Sequence, residues 1–175
     1  MNEKLNLLYQ RRSIRTYTDA PVSKEEIMEI LKAGFAAPNG ISRYAWHVTV
    51  IEDADTRNQI GAMSSHRHCC AEAPVVFLVS GDQSRYSVEP RAAVAEACWP
   101  QDCAAMVQNM LLAATGLGLG SLWMGAYPFG GSDDSLRNIV GLPEHLIPFA
   151  LVSVGHGAEE KEPRTNYEES QVMWK

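Results

Sequence analysis

The stretch from residue 99 to residue 119 constrains this chain more than any other. Its polar side chains Gln101, Asp102, Gln108, Asn109 and Thr115 recur at intervals of seven and fall on one narrow stripe. Ala104, Ala105, Met106, Val107, Leu111, Leu112 and Ala113 leave the remainder apolar almost all round. A helix of that pattern has no solvated face to spare, so it belongs in a core or along a subunit interface. A membrane span is the other solution for such a helix. Here Asp102, Gln108 and Asn109 interrupt it before ~20 apolar residues accumulate, and no membrane partner is expected.

The other elements are read around this helix. Leu5, Leu8 and Tyr9 mark the apolar stripe of a first helix. Ser23 and Glu26 form a capping box, with Val22 and Ile27 as its hydrophobic staple. Ile27, Ile30, Leu31, Gly34 and Phe35 then follow at helical spacing, and Pro38 closes the element. Along 46–52, Trp46, Val48 and Val50 alternate with His47 and Thr49, the pattern of a half-buried strand. Residues 53–64 read as a surface helix. Residues 74–80, Pro-Val-Val-Phe-Leu-Val-Ser, form a short β-branched apolar run, which predicts a buried strand. Residues 81–98 give no clear pattern and fit a loop or a short helix. Gly116, Gly118 and Gly120 end the long helix. With no strand leading in, they do not make a dinucleotide fingerprint. A strand over 121–127, a short helix capped by Ser132 or Asp133 and carrying Leu136, Ile139 and Val140, and a strand over 147–155 complete the core. Gly157 to Lys175 is charged and has no core of its own, so its ordered parts must rest on something else, such as a second subunit.

At 175 residues with 46% apolar and 21% charged residues, the chain suits one soluble domain spanning 1–175. A net charge of −6 and a pI near 5.3 argue against a nucleic-acid binder. No basic-then-apolar leader follows Met1, and Cys69, Cys70, Cys98 and Cys103 show no CxxC spacing. A reduced, cytoplasmic protein is expected.

One segment does not fit an acidic chain: Arg11-Arg12-Ser13-Ile14-Arg15-Thr16-Tyr17. Cations favour helix C-termini, which explains part of it. The guanidinium fork also matches phosphate, and Ser13 adds a short hydroxyl contact. A helix end and a phosphate site both stand at this point.

Three segments, in this order, resemble the flavin-dependent nitroreductase family. They are residues 11–17; Ala36-Ala37-Pro38-Asn39-Gly40 running to Trp46-His47; and residues 108–114 with Gly116-Leu117-Gly118 and Trp123-Met124-Gly125. Pro163-Arg164 sits where the family keeps a further phosphate contact. The resemblance implies an α+β fold with a central mixed or antiparallel sheet flanked by helices. It also implies an obligate homodimer with FMN at the interface and the long helix within it. Arg11, Ser13 and Arg164 would hold the phosphate and ribityl end, Arg12 would contribute through its backbone, and Arg15 would reach the pyrimidine edge. A fixed cation there eases reduction, because negative charge builds at N1 and O2. Pro38, Asn39, Gly40 and Ser42 would come from the partner subunit to line the ring, and the backbone at Met124-Gly125 would lie beside N5. The tail, 158–175, would pack on the partner. With one arginine cluster and no adenosine fingerprint, FMN is preferred to FAD.

In this class the flavin carries the chemistry, so no catalytic acid, base or nucleophile is expected. The implied reaction is a ping-pong reduction by NADH or NADPH of an electron-poor small molecule such as a nitroaromatic or quinone. The alternatives are a flavin-storage or sensing protein, or a same-fold enzyme that dehalogenates or cleaves flavin. The chain departs from the family at Ser42, Tyr44 and Ala45, which bears on the substrate. His66-Arg67-His68-Cys69-Cys70 invites a metal, but adjacent cysteines suit one tetrahedral site poorly. The segment is read as pocket edge or surface, and no metal is expected. Trp99 and Trp123 are read as core or dimer aromatics, and Arg43 as facing solvent.

Overall fold

The continuously apolar run after Pro74 becomes the middle of the sheet, with Val75, Val76, Phe77, Leu78 and Val79 all at most 1% exposed. The computed structural model describes residues 3–128 and 133–175. In chain order the elements are α1 (Asn6–Gln10), α2 (Lys24–Phe35), β1 (Trp46–Ile51), α3 (Ala54–Ala62), α4 (Cys69–Glu72), β2 (Val75–Asp82), α5 (Gln83–Tyr86), α6 (Ala92–Gly116), β3 (Gly120–Gly125), α7 (Asp133–Val140) and β4 (Leu146–Gly155). Ser132, one of the two candidate caps for α7, lies outside the described residues.

The strands pair antiparallel throughout, in the order β1-β2-β4-β3. Alternation along β2 then divides the core. Val75, Phe77 and Val79 face one side with Met106, Met110 and Ile30, and Val76 and Leu78 face the other with Ile60, Leu136 and Cys69. One layer is therefore α2 and α6, the other α3, α4 and α7, an α+β fold with the sheet between them.

The capping box at Ser23 is formed. The Glu26 N–H donates to Ser23 Oγ at 3.2 Å, and the Ser23 N–H donates to Glu26 Oε2 at 2.7 Å. Ser23→Ala is expected to cost about 1 kcal/mol. In a chain of this size that lowers the thermal midpoint by roughly 2–4 °C in a melting curve. Gly34 of α2 lies against α6, where a Cβ would come within 2.8 Å of Met110 Cγ.

One sequence boundary needs correction here. α6 begins at Ala92, not at residue 99, while α5 is the short helix that the 81–98 stretch allowed. Pro100 lies inside α6, where it removes one rung of the ladder without ending the helix. The polar stripe of α6 divides, with Gln101 and Gln108 exposed and the others turned inward. Asp102 is 6% exposed and reaches the 39–44 loop, while Asn109 Nδ2 donates to the Ala33 carbonyl at 3.0 Å. The helix ends as expected, with Gly118 at φ +75°, and β3 stops at Gly125 before residues 126 and 127. No helix among the described residues is long and apolar enough to cross a membrane.

Candidate active site

Residues 11–17 leave the end of α1 and run between β3 and the tail. The Ile14 N–H donates to the Ser121 carbonyl at 3.0 Å, Ser13 bridges Ser121 in parallel, and Tyr17 bridges Gly157 antiparallel. The tail is stitched back along this segment. Arg12 Nη1 donates to the Glu162 carbonyl, Lys161 Nζ to the Ser13 carbonyl at 2.7 Å, and the Arg164 N–H to the Tyr9 carbonyl at 3.1 Å. Glu159 Oε1 accepts the Arg15 N–H at 2.6 Å.

This folding-back gathers positive charge. Partial burial, followed by the nearby guanidinium groups of Arg164 and Arg12, holds Arg11 below the ordinary arginine value. Nothing in folding alone requires like charges to be brought together, and a dianionic ligand would offset their repulsion. The structure therefore brings Arg11 and Arg164 together, as the sequence reading asked, while the Arg12 guanidinium is spent on fixing the tail.

A second grouping lies along β3, an edge strand. Its cleft, about 660 Å³, is lined by Arg15, Met63, Ser64, Arg67, Trp123 and Met124, among others. Gly125 and His66 also line it, and among the described side chains no carboxylate does. The volume is in the range of cofactor sites. Arg15 is exposed, and Arg67, which is 7% exposed, donates to Met63 Sδ at 3.3 Å. Beneath the cleft, Met124 Sδ sits 3.5 Å from Cys69 Sγ and 3.7 Å from Cys70 Sγ. The hydrogen bond to Cys69, and then burial, push the Cys70 thiol well up, so it stays protonated.

The His66 to Cys70 stretch thus divides. His66 and Arg67 edge the cleft as read, whereas Cys69 and Cys70 are 0% exposed and belong neither to edge nor surface. Among the described residues no group of three or more His, Cys, Asp or Glu is placed to hold a metal ion. Trp99 is a core residue stacked on Tyr86 at 5.6 Å, but Trp123 lines the cleft and is 36% exposed. Arg43, expected to face solvent, is half-buried and donates to the Val88 carbonyl at 2.8 Å. Met63, Ser64 and Ser135 were not anticipated. Met63 and Ser64 end the predicted surface helix and Ser135 lies in the predicted short helix, where no local pattern marks a cleft.

The third grouping is Pro38, Asn39, Gly40 and Ser42. They lie on the loop before β1, against α6, and none of them lines the β3 cleft. Pro38 and Ser42 are exposed, and Gly40 packs on Cys98. One subunit therefore holds the arginine cluster and the β3 cleft, with the third grouping elsewhere on its surface.

Comparison with known proteins decides the family, because the nitroreductase family model matches residues 8–68 and 65–156. The chain belongs to the nitroreductase family. This nitroreductase-family chain is 35% identical over 164 residues to an Archaeoglobus fulgidus protein provisionally assigned as an NADH dehydrogenase/NAD(P)H nitroreductase, covering 93% of this chain and 90% of that one. It is 28% identical to the FMN reductase [NAD(P)H] of Bacillus subtilis, covering 94% of this chain and 70% of that one. A Desulfovibrio desulfuricans protein solved in complex with FMN superimposes with a TM-score of 0.83 at 31% identity, covering 100% of this chain and 98% of that one.

Proposed function

We propose that this chain is an FMN-dependent NAD(P)H oxidoreductase, a single domain over 1–175 acting as a homodimer on electron-poor small molecules. The observation that carries it is the β3 cleft, which Arg15, Met124 and Gly125 line together and into which, among the described side chains, no carboxylate intrudes. The FMN reductase and the FMN-bound structure among its relatives support the cofactor. The donor set fits as well: Arg11, Ser13 and Arg164 for the phosphate and ribityl end, the Arg12 backbone beside them, and Arg15 for the pyrimidine edge. When bound, the flavin takes hydride from the nicotinamide donor and gives it to the acceptor. The protein's share is to hold the phosphate, keep a cation at the ring and leave the ring edge open along Met124-Gly125. The separation of Pro38, Asn39, Gly40 and Ser42 from that cleft supports a site completed by the partner subunit.

The exposed apolar surface supports the dimer. Val94 on α6 and Leu117 just past its end are 49% and 38% exposed, and Leu5 and Leu8 at α1 are 44% and 49% exposed. In the tail, Met173 and Trp174 are 78% and 84% exposed, which suits residues 158–175 packing on the partner. The four free cysteines fit a reducing compartment, and the proposal places the enzyme in the cytoplasm.

The test is an absorbance spectrum of the purified protein before and after anaerobic NADH, then NADPH. Flavin bands that bleach are expected, and the better donor identifies the physiological nicotinamide. Flavin bands that neither donor bleaches would mean storage or sensing. A colourless protein that FMN does not reconstitute would end the proposal.

A further inference from the structure

Asp102 is out of place on its helix. It is 6% exposed on the buried side of α6, between Cys103 and the Gly40 turn, where a carboxylate has lost most of its water. A buried charge persists only when hydrogen bonds replace the hydration it gives up. Here the Gly40 N–H donates to Asp102 Oδ1 at 2.7 Å, a short, charge-assisted contact. One helical turn earlier, Cys98 packs so closely on Gly40 that a Cβ there would come within 2.6 Å of Cys98 Cβ. Two residues on one face of α6 therefore press on a single glycine, one by packing and one by hydrogen bonding.

The segment so held does not favour its own shape. Ile41, Ser42 and Tyr44 have φ of 50°, 55° and 51°, the left-handed region, which is rare outside glycine and rarer still for a β-branched residue. Backbone of this kind persists when its surroundings over-determine it, and it concentrates where a ligand must be met. Asn39 Oδ1 accepts the Tyr44 N–H at 3.3 Å, and Arg85 Nη1 donates to the Tyr44 carbonyl at 3.1 Å. These ties close the loop on itself and fasten its far end. Asp102 fastens its near end to α6.

We propose that Asp102 is a positioning residue that holds residues 38–42 in the conformation that completes the flavin site of the partner subunit. The proposal rests on the FMN-dependent, dimeric reading above. It gives a cause for a buried carboxylate that neither the hydrophobic core nor the hydride chemistry uses. Burial also pushes the Asp102 carboxyl above its ordinary value, against the pull of the Gly40 N–H, as expected of a group kept for its acceptor oxygen.

The test compares Asp102→Asn, which keeps an acceptor oxygen, with Asp102→Leu and Asp102→Ala, which do not. All are made in the full chain, and three quantities are read: FMN affinity by fluorescence quenching, amide exchange over residues 39–44 in the apoprotein, and thermal midpoint. Asp102→Asn, which keeps the acceptor but not its charge, should lie between the parent and the other two, nearer the parent. The Leu and Ala variants should bind FMN about tenfold or more weakly, the loss expected for a hydrogen bond to a charged group. They should also exchange the Gly40 amide faster, with the thermal midpoint little moved. Unaltered FMN affinity in a folded Leu or Ala variant would overturn the proposal. So would an Asn variant as weak as the other two, since the acceptor would then not be what matters. Failure of the parent itself to bind FMN would instead overturn the flavin reading, and the purpose of the clamp with it.

Discussion

Arg11→Ala is expected to raise the dissociation constant for FMN by roughly tenfold to a hundredfold while leaving the fold intact. Arg11 sits at the end of α1, where its N–H closes the last turn on the Leu7 carbonyl at 3.1 Å, a bond that alanine keeps. What alanine loses is the guanidinium. A hydrogen bond to a charged group contributes about 1.5–3 kcal/mol, and each 1.4 kcal/mol is tenfold in affinity. The apoprotein gives no reason to retain the group, because burial and the charges of Arg164 and Arg12 already depress it. Removing it should leave apoprotein stability unchanged or slightly raised. Fluorescence titration with FMN and a melting curve of the apoprotein separate the two effects. High salt should narrow the gap between parent and variant, since the lost contact is ionic. A variant with unaltered affinity would return the arginine cluster to the role of a helix end. Arg11→Lys keeps the charge without the fork and should fall between the two.

How much of this was legible depended on whether a signal was local. The Ser23 to Glu26 box lies within one helical turn, and the Val75 to Val79 run within one strand, so the chain itself states both. The start of α6 was not legible, for two reasons that reinforce each other. Residues 92–98 are rich in alanine, which favours helix strongly but carries no amphipathic period. Pro100 then reads as a first-turn proline, although the helix runs through it. α4 has four residues, too few to show any period. The buried place of Asp102 was hidden because a polar residue every seventh position looks the same whether it meets water or a facing turn.

For the site, the residue types were legible and the assembly was not. The arginines between positions 11 and 15 advertise phosphate chemistry by density alone. That Arg164 would reach Arg11 depends on hydrogen bonds between the tail and residues 9–18, which no local pattern encodes. The wall of the cleft at Met63, Ser64 and Arg67 depends likewise on how the stretch after α3 turns beneath β3. Long-range placement of that kind is written in the packing of the sheet and its two helical layers. Family resemblance supplied it at sequence level only for the residues inside its motifs.

Arg15→Ala is expected to lower the midpoint potential of bound FMN by about 30–60 mV while changing affinity for the oxidised cofactor much less. Two contacts fix the backbone here, the Arg15 N–H on Glu159 Oε1 at 2.6 Å and the Ser13 carbonyl on Lys161 Nζ at 2.7 Å. Glu159 and Lys161 in turn pair at 3.0 Å, so the tail acts as a clip that sets where the Arg15 side chain leaves the chain. That side chain lines a cleft with no carboxylate among its described side chains, and alanine removes the cation without disturbing the clip. Reduction places negative charge on the pyrimidine edge, so the cation acts mainly on the reduced form and thus on the potential. Two unit charges about 4 Å apart interact by roughly 4 kcal/mol at an effective dielectric of 20. Arg15 is exposed, and solvent screening reduces that to roughly a third to two-thirds. For a two-electron couple about 30 mV corresponds to 1.4 kcal/mol, which gives the stated range. Equilibration with a redox dye measures it directly, and Arg15→Lys should recover most of the drop. An Arg15→Ala enzyme with the parent's potential but weakened FMN binding would move Arg15 from the ring to the phosphate. The clip at Glu159 would then serve the same end of the cofactor as Arg11 and Arg164.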